Sequence, residues 1–208
     1  MSILAPLVAT YVAQTKKLAG IPSSTEPTFY PDIKVLLSAI LKEHKLPFEV
    51  RTSTSEAKGM PDFVLGDSAM FVGVYGEVKR ETTTLEDLAV STEQNDQIGR
   101  YLSRTGVVLL SNIRGFGLLA CRAGYERNPE KPVAPIDREL LKVVDIWPAI
   151  SGSASHPKVD PSTIDDLVEI VERSVKQKTR IIVILGNPPY DAFAGVALVR
   201  RSGTGRTL

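Results

Sequence analysis

Val107–Leu110 is a wholly apolar run, bounded by Gly106 and Ser111. It is too short for a buried helix and has the length of a strand covered on both faces. Ile113–Ala120 follows and is again largely apolar, so it is expected as the partner strand. The rest of the chain supplies amphipathic layers to cover such a pair. Ile33, Leu36, Leu37, Ile40 and Leu41 repeat at helical spacing behind Pro31, a residue favoured in a first turn. Leu85, Leu88, Ile98, Tyr101 and Leu102 mark a second helix over 85–104, ended by Gly106. Between them Phe48–Thr52, Pro61–Leu65 and Phe71–Lys79 read as strands separated by polar, glycine-containing turns. Helix, three strands, helix and two strands make an α/β order, so the expected core over 21–127 is a mixed sheet flanked by helices.

The flanks read differently. In 1–20, Leu4, Leu7, Val8, Tyr11, Val12 and Leu18 fall mainly on one side of a helix, which is expected to dock on the core. Its apolar start is mildly like a signal peptide. No basic residue precedes it, however, and Thr10, Gln14, Lys16 and Lys17 interrupt it. No run approaches the length of a membrane span, and a cytoplasmic protein with no membrane partner is expected. Segment 128–161 carries Pro129, Pro132, Pro135, Pro148, Pro157 and Pro161 and is expected as an irregular linker around an apolar patch, Leu140–Trp147. Over 162–194 a helix with the stripe Ile164, Leu167, Val168 and Val171 is expected to lead into a strand, Ile181–Leu185. Residues 195–208 show no folding pattern and are expected to be a disordered tail. An irregular C-terminal extension is thus expected beyond the core.

The chemistry available is narrow. A single cysteine, Cys121, excludes an internal disulfide and a cysteine-built zinc site. With only His44 and His156 besides, a bound metal should be a hard cation held by oxygen. The formal charge of +1 gives no global attraction to nucleic acid, so any such surface must arise from local Lys and Arg placement. Against this background Pro61-Asp62 and Glu77-Val78-Lys79 stand out. Asp62 starts one strand and Glu77 lies near the end of the next, so a hairpin brings both carboxylates to one sheet edge. Strand alternation sends Glu77 and Lys79 to the same face. Two carboxylates holding a divalent cation beside an amine are what phosphodiester hydrolysis needs. Glu77 and Lys79 also fit a solvated surface pair, although an unpaired charge in a Val/Tyr/Gly strand is costly unless it faces a site.

Four segments in order carry a resemblance: Thr25–Pro31, Gly59–Phe63, Gly76–Lys79 and Gln97–Tyr101. Together they resemble the PD-(D/E)xK nuclease domain at the start of large single-chain restriction-modification enzymes, the Type I-like and Type IIG groups. The likeness spans roughly residues 20–125. It implies a restriction-endonuclease-like fold and a magnesium-dependent endonuclease acting on double-stranded DNA. It further implies that Asp62, Glu77 and the Val78 carbonyl ligate magnesium, that Lys79 handles the attacking water, and that Glu26 is the helix acid, with Asp32 as its rival. Gln97 and Tyr101 would support the lysine or contact the DNA backbone, or else simply pack; Gln94 is an alternative to Gln97. Arg80, Arg100, Arg104 and Arg114 lie near these residues in sequence and are candidates for phosphate contact, or solvated surface charges. No base-reading module is evident, so sequence specificity is expected in missing methyltransferase or specificity domains, with a second protomer a further possible partner.

A separate motif, Asn187-Pro188-Pro189-Tyr190, resembles the catalytic tetrapeptide of adenine-specific DNA methyltransferases, in which the asparagine and a proline carbonyl hold the amino group of a flipped base. A proline turn after a strand reads the same way. No glycine-containing loop suited to S-adenosylmethionine is found, since Gly115-x-Gly117 sits inside a strand, so that cofactor and methyl transfer are not expected. The ending suggests a truncated or frame-shifted reading of a longer gene. An inactive methyltransferase fragment and a non-catalytic DNA-binding remnant stand as alternatives to the nuclease.

Overall fold

The computed structural model describes residues 3–52, 60–67, 73–153 and 156–185. Met1–Lys178 form one unit; of the other, Thr179–Leu208, residues 179–185 are described. The chain runs through α1 (Leu4–Ala19), a 3-10 turn (Glu26–Phe29), α2 (Tyr30–Glu43), β1 (Glu49–Thr52), β2 (Phe63–Gly66) and β3 (Gly73–Val78). It continues through α3 (Leu85–Val90), α4 (Glu93–Thr105), β4 (Val107–Ser111), β5 (Gly115–Cys121) and β6 (Arg138–Asp145). A hairpin of β7 (Ile150–Ser153) and β8 (His156–Val159) precedes α5 (Pro161–Leu185). The six strands β1 to β6 pair in chain order, with β3–β4 parallel and the other neighbours antiparallel. The parallel pair needs a long crossover, which α3 and α4 provide. This is the mixed α/β arrangement expected from the sequence.

The apolar run of β4 is buried along its whole length because both faces of the sheet are covered. Val107 and Leu109 join a cluster with Leu4, Val8, Ile33, Leu37, Leu167 and Ile170 from α1, α2 and α5. Val108 and Leu110 join Leu85, Leu88, Ile98 and Leu102 from α3 and α4 on the other face. Helix α1 is docked as expected, and two polar bonds fix it: the Tyr11 hydroxyl donates to the Ile113 carbonyl at 2.8 Å and Trp147 Nε1 to Thr15 Oγ1 at 3.1 Å. Among the described residues no helix is long and apolar enough to cross a membrane.

Three expectations are corrected. The helix foreseen over 85–104 is two helices, because the Thr84 side chain accepts from the Asp87 N–H to start α3 and the chain leaves helical geometry at Ser91. The segment 128–161 is not an irregular linker. Its prolines lie outside Arg138–Asp145, and that proline-free stretch pairs with β5 as the sixth strand. The run Ile181–Leu185 is the end of α5 rather than a strand. A short apolar run has no period of its own, and here helix-forming sequence precedes it without a break. The tetrapeptide 187–190 and the tail 195–208 lie outside the described residues.

Candidate active site

The β2–β3 hairpin sets the geometry. Phe63 faces Gly76 across the ladder, and the Asp62 N–H donates to the Gly76 carbonyl at 3.0 Å, so Asp62 lies beside the Glu77 strand. Gly76 cannot be larger, since a Cβ there would meet the Phe63 ring at 2.1 Å. Both oxygens of the Asp62 carboxylate are held: Oδ2 accepts the Val78 N–H at 2.7 Å and Oδ1 the Tyr30 hydroxyl. Glu77 is buried, 4% exposed, and is held on both oxygens as well. Its Oε1 lies 3.1 Å from Lys79 Nζ and its Oε2 accepts from Gln97 Nε2 at 3.1 Å. The Lys79 backbone N–H donates to the Ser111 carbonyl at 2.8 Å, and its Nζ stands 3.5 Å from Glu26 Oε2.

Glu26, Asp62, Glu77 and Lys79 therefore interact around one point, although they come from a 3-10 turn, a strand entry, a strand and a strand exit. Gln97 belongs to the same network. Its Nε2 also reaches the Met60 carbonyl at 3.2 Å and touches the Tyr101 hydroxyl, while nothing among the described residues donates to its buried Oε1. Tyr101 is buried and packs edge-on against Tyr75, with centroids 5.2 Å apart. Asp32 takes part in none of the bonds that tie this cluster together. Gln94 has no described side chain.

The arginines divide. Arg80 clamps the entry to the 3-10 turn, donating to the Ser24 and Ala19 carbonyls at 2.9 and 3.1 Å and pairing with Glu81. Arg114 pairs with Asp145 at 2.8 Å beside the Trp147 ring. Arg100 and Arg104 ride on α4, Arg104 exposed in its last turn. Arg138 had no place in the sequence reading. Its buried guanidinium donates to the carbonyls of Val133, Ala89 and Ser91 and to the Asp96 carboxylate. Asp96 adopts a left-handed φ of 57° directly before Gln97, so Arg138 stabilises the backbone that aims Gln97. No local pattern announces this, because the partners are backbone carbonyls on other elements.

The electrostatics are those of a crowded acid cluster. Burial, then the charge of Asp62, pushes the Glu77 carboxyl up to about 7, against the pull of Lys79. Burial also raises Asp62 and Glu26, offset in part by their donors. Burial lowers Lys79, but Glu77 and Glu26 outweigh it, and the ammonium is held above its ordinary value. Three carboxylates face one ammonium, so the fully ionised cluster carries two negative charges in excess (−3 + 1). A divalent cation has the charge to neutralise that excess. Among the described residues no three His, Cys, Asp or Glu side chains form a ready cage, and Glu26 pairs with Lys79. Asp62 and Glu77 are carboxylates all the same, the hard oxygen donors that a divalent cation such as magnesium takes.

No family model matches the chain, and no curated protein matches it. A solved structure is similar. It is a cryo-EM structure of a DrdV–DNA complex, 18% identical at a TM-score of 0.45, with 80% of this chain and 13% of that chain covered. The present chain thus spans a small part of the length of that protein.

The Glu77 shift has a measurable consequence for the metal-free protein. A carboxyl whose folded pKa lies near 7 rather than 4.5 favours the folded state below pH 4.5, and that contribution is lost as pH rises through 7. In EDTA the melting temperature should therefore fall between pH 5 and pH 8. Glu77→Gln should remove most of this slope and at pH 8 stabilise by on the order of 2 kcal/mol. Melts at both pH values check it; an unchanged slope in the variant would show that Glu77 does not titrate in this window.

Proposed function

We propose that residues 21–127 are a magnesium-dependent DNA endonuclease domain of the PD-(D/E)xK kind, belonging to a restriction-modification protein. The observation that carries this reading is that Glu26 and Glu77 pair with Lys79 at the end of β3, while Asp62, held on the neighbouring strand entry, adds its charge to the same group. Asp62, Glu77 and the Val78 carbonyl would hold magnesium, which supplies Lewis acidity toward the scissile phosphate. In the metal-free protein two carboxylates stabilise the Lys79 ammonium, which would serve as donor and countercharge. It orients the attacking water and offsets charge gathering on the phosphate oxygens. Glu26, a carboxylate of raised pKa beside that ammonium, takes the proton from the water. Gln97 holds Glu77 by one oxygen, and Tyr101 buttresses Gln97. Arg100 and Arg104 on α4 would meet DNA phosphates. Arg80, engaged with Ala19, Ser24 and Glu81, keeps the turn carrying Glu26 in place.

One such site cuts one strand, so a double-strand break needs a second protomer. The expected result is nicking of supercoiled plasmid by the purified chain in magnesium or manganese, suppressed by EDTA. A chain that takes up no divalent metal and leaves DNA intact in both ions would overturn the reading.

A further inference from the structure

The 3-10 turn Glu26–Phe29 runs without a gap into α2, which begins at Tyr30. Phe29 is fully buried and anchors this joint in the core. Glu26 and Tyr30, four residues apart on continuous helical backbone, thereby reach the same edge of the sheet: Glu26 toward Lys79, and Tyr30 toward Asp62. The Tyr30 hydroxyl donates to Asp62 Oδ1, while Oδ2 of the same carboxylate accepts the Val78 N–H at 2.7 Å. With a donor on each oxygen, the carboxylate cannot rotate without breaking one of the two bonds. The lone pairs left over keep a fixed direction. Glu77 is treated alike by α4, where Gln97 holds one of its oxygens.

From this geometry we infer that Tyr30 is a positioning residue for the metal site, locking Asp62 in its ligating orientation from the first core helix. The inference rests on the nuclease reading, because it assigns Asp62 to magnesium. Donors to a ligating carboxylate set its orientation, and their removal commonly weakens metal affinity by roughly 10- to 100-fold. Among the described residues, the side-chain bond fixing Asp62 is the one from Tyr30, whereas the Val78 N–H is backbone and cannot be removed by substitution.

The test is calorimetric titration of manganese into the full chain, with cleavage rates measured in parallel across manganese concentration. Tyr30→Phe keeps the ring and deletes only the hydroxyl. It should raise the manganese Kd roughly tenfold and move the cleavage midpoint by the same factor, leaving the rate at saturating metal within about threefold of the parent. Tyr11→Phe is the control for simple loss of a tyrosine hydroxyl, since that hydroxyl donates to the Ile113 carbonyl and bonds to none of the acids. It should leave the Kd within about twofold, in keeping with a purely structural hydrogen bond. A Tyr30→Phe protein that binds manganese as the parent does, or a Tyr11→Phe protein that weakens binding equally, overturns the positioning role and leaves the nuclease reading intact. A parent chain that takes up no manganese overturns both.

Discussion

If the proposed function holds, Asp62→Ala should bind no measurable manganese and should cleave DNA roughly a thousandfold more slowly, because one of the two carboxylates proposed to ligate the cation is gone and the charge excess that attracts it is halved. Lys79→Ala should behave differently. Removing the ammonium leaves the carboxylates with more uncompensated negative charge, so manganese affinity should hold or rise. Cleavage should still fall about 10²- to 10⁴-fold, for lack of the donor that orients water and offsets transition-state charge. The pair of variants therefore separates metal holding from catalysis. Calorimetry with manganese beside single-turnover nicking decides it. If Asp62→Ala binds and cuts like the parent, the two strand acids are not the site. If Lys79→Ala loses metal binding as well, the lysine is structural rather than chemical.

Arg138→Met carries the largest expected cost in stability. The side chain is 4% exposed and donates to three carbonyls on β6's approach and the α3–α4 junction, as well as to Asp96. Methionine fills much of the volume and satisfies none of these acceptors. Breaking a buried ion pair from one side commonly costs about 3–5 kcal/mol. For a chain of this size that corresponds to a fall of roughly 10 °C in melting temperature. Asp96, left with the Gly99 N–H on its carboxylate, would lose its charged partner, so Gln97 should drift and the manganese affinity should weaken at temperatures where the variant is still folded. Thermal and urea melts measure the first effect and calorimetry the second. A variant that melts within about two degrees of the parent would mean that the carbonyls find water instead.

The acid pair and its lysine were legible early because their relation is local. Asp62 enters one strand and Glu77 lies on the next, the two joined by one connection, and period-two alternation puts Glu77 and Lys79 on one face wherever the strand lies. Glu26 came from motif resemblance, and the same motif contains Tyr30 without marking a role for it. A signal existed in the spacing of four residues, but only the packed joint between the 3-10 turn and α2 shows that both side chains reach the site. The apolar run Ile181–Leu185 failed for the opposite reason: five apolar residues are compatible with either helix or strand, and the helix already running through α5 extends over it.

By itself the sequence determined the mixed α/β class, the fully covered β4 strand and the local pairing of the catalytic candidates, since these depend on periodicity and on neighbours a few residues away. Tertiary structure alone decided that Arg138–Asp145 closes the sheet as β6, that Arg138 and Arg80 are tied to backbone carbonyls on distant elements, and that Tyr30 meets Asp62. A hydrogen bond between elements depends on where two chains cross in space, and residue type leaves no periodic trace of that crossing.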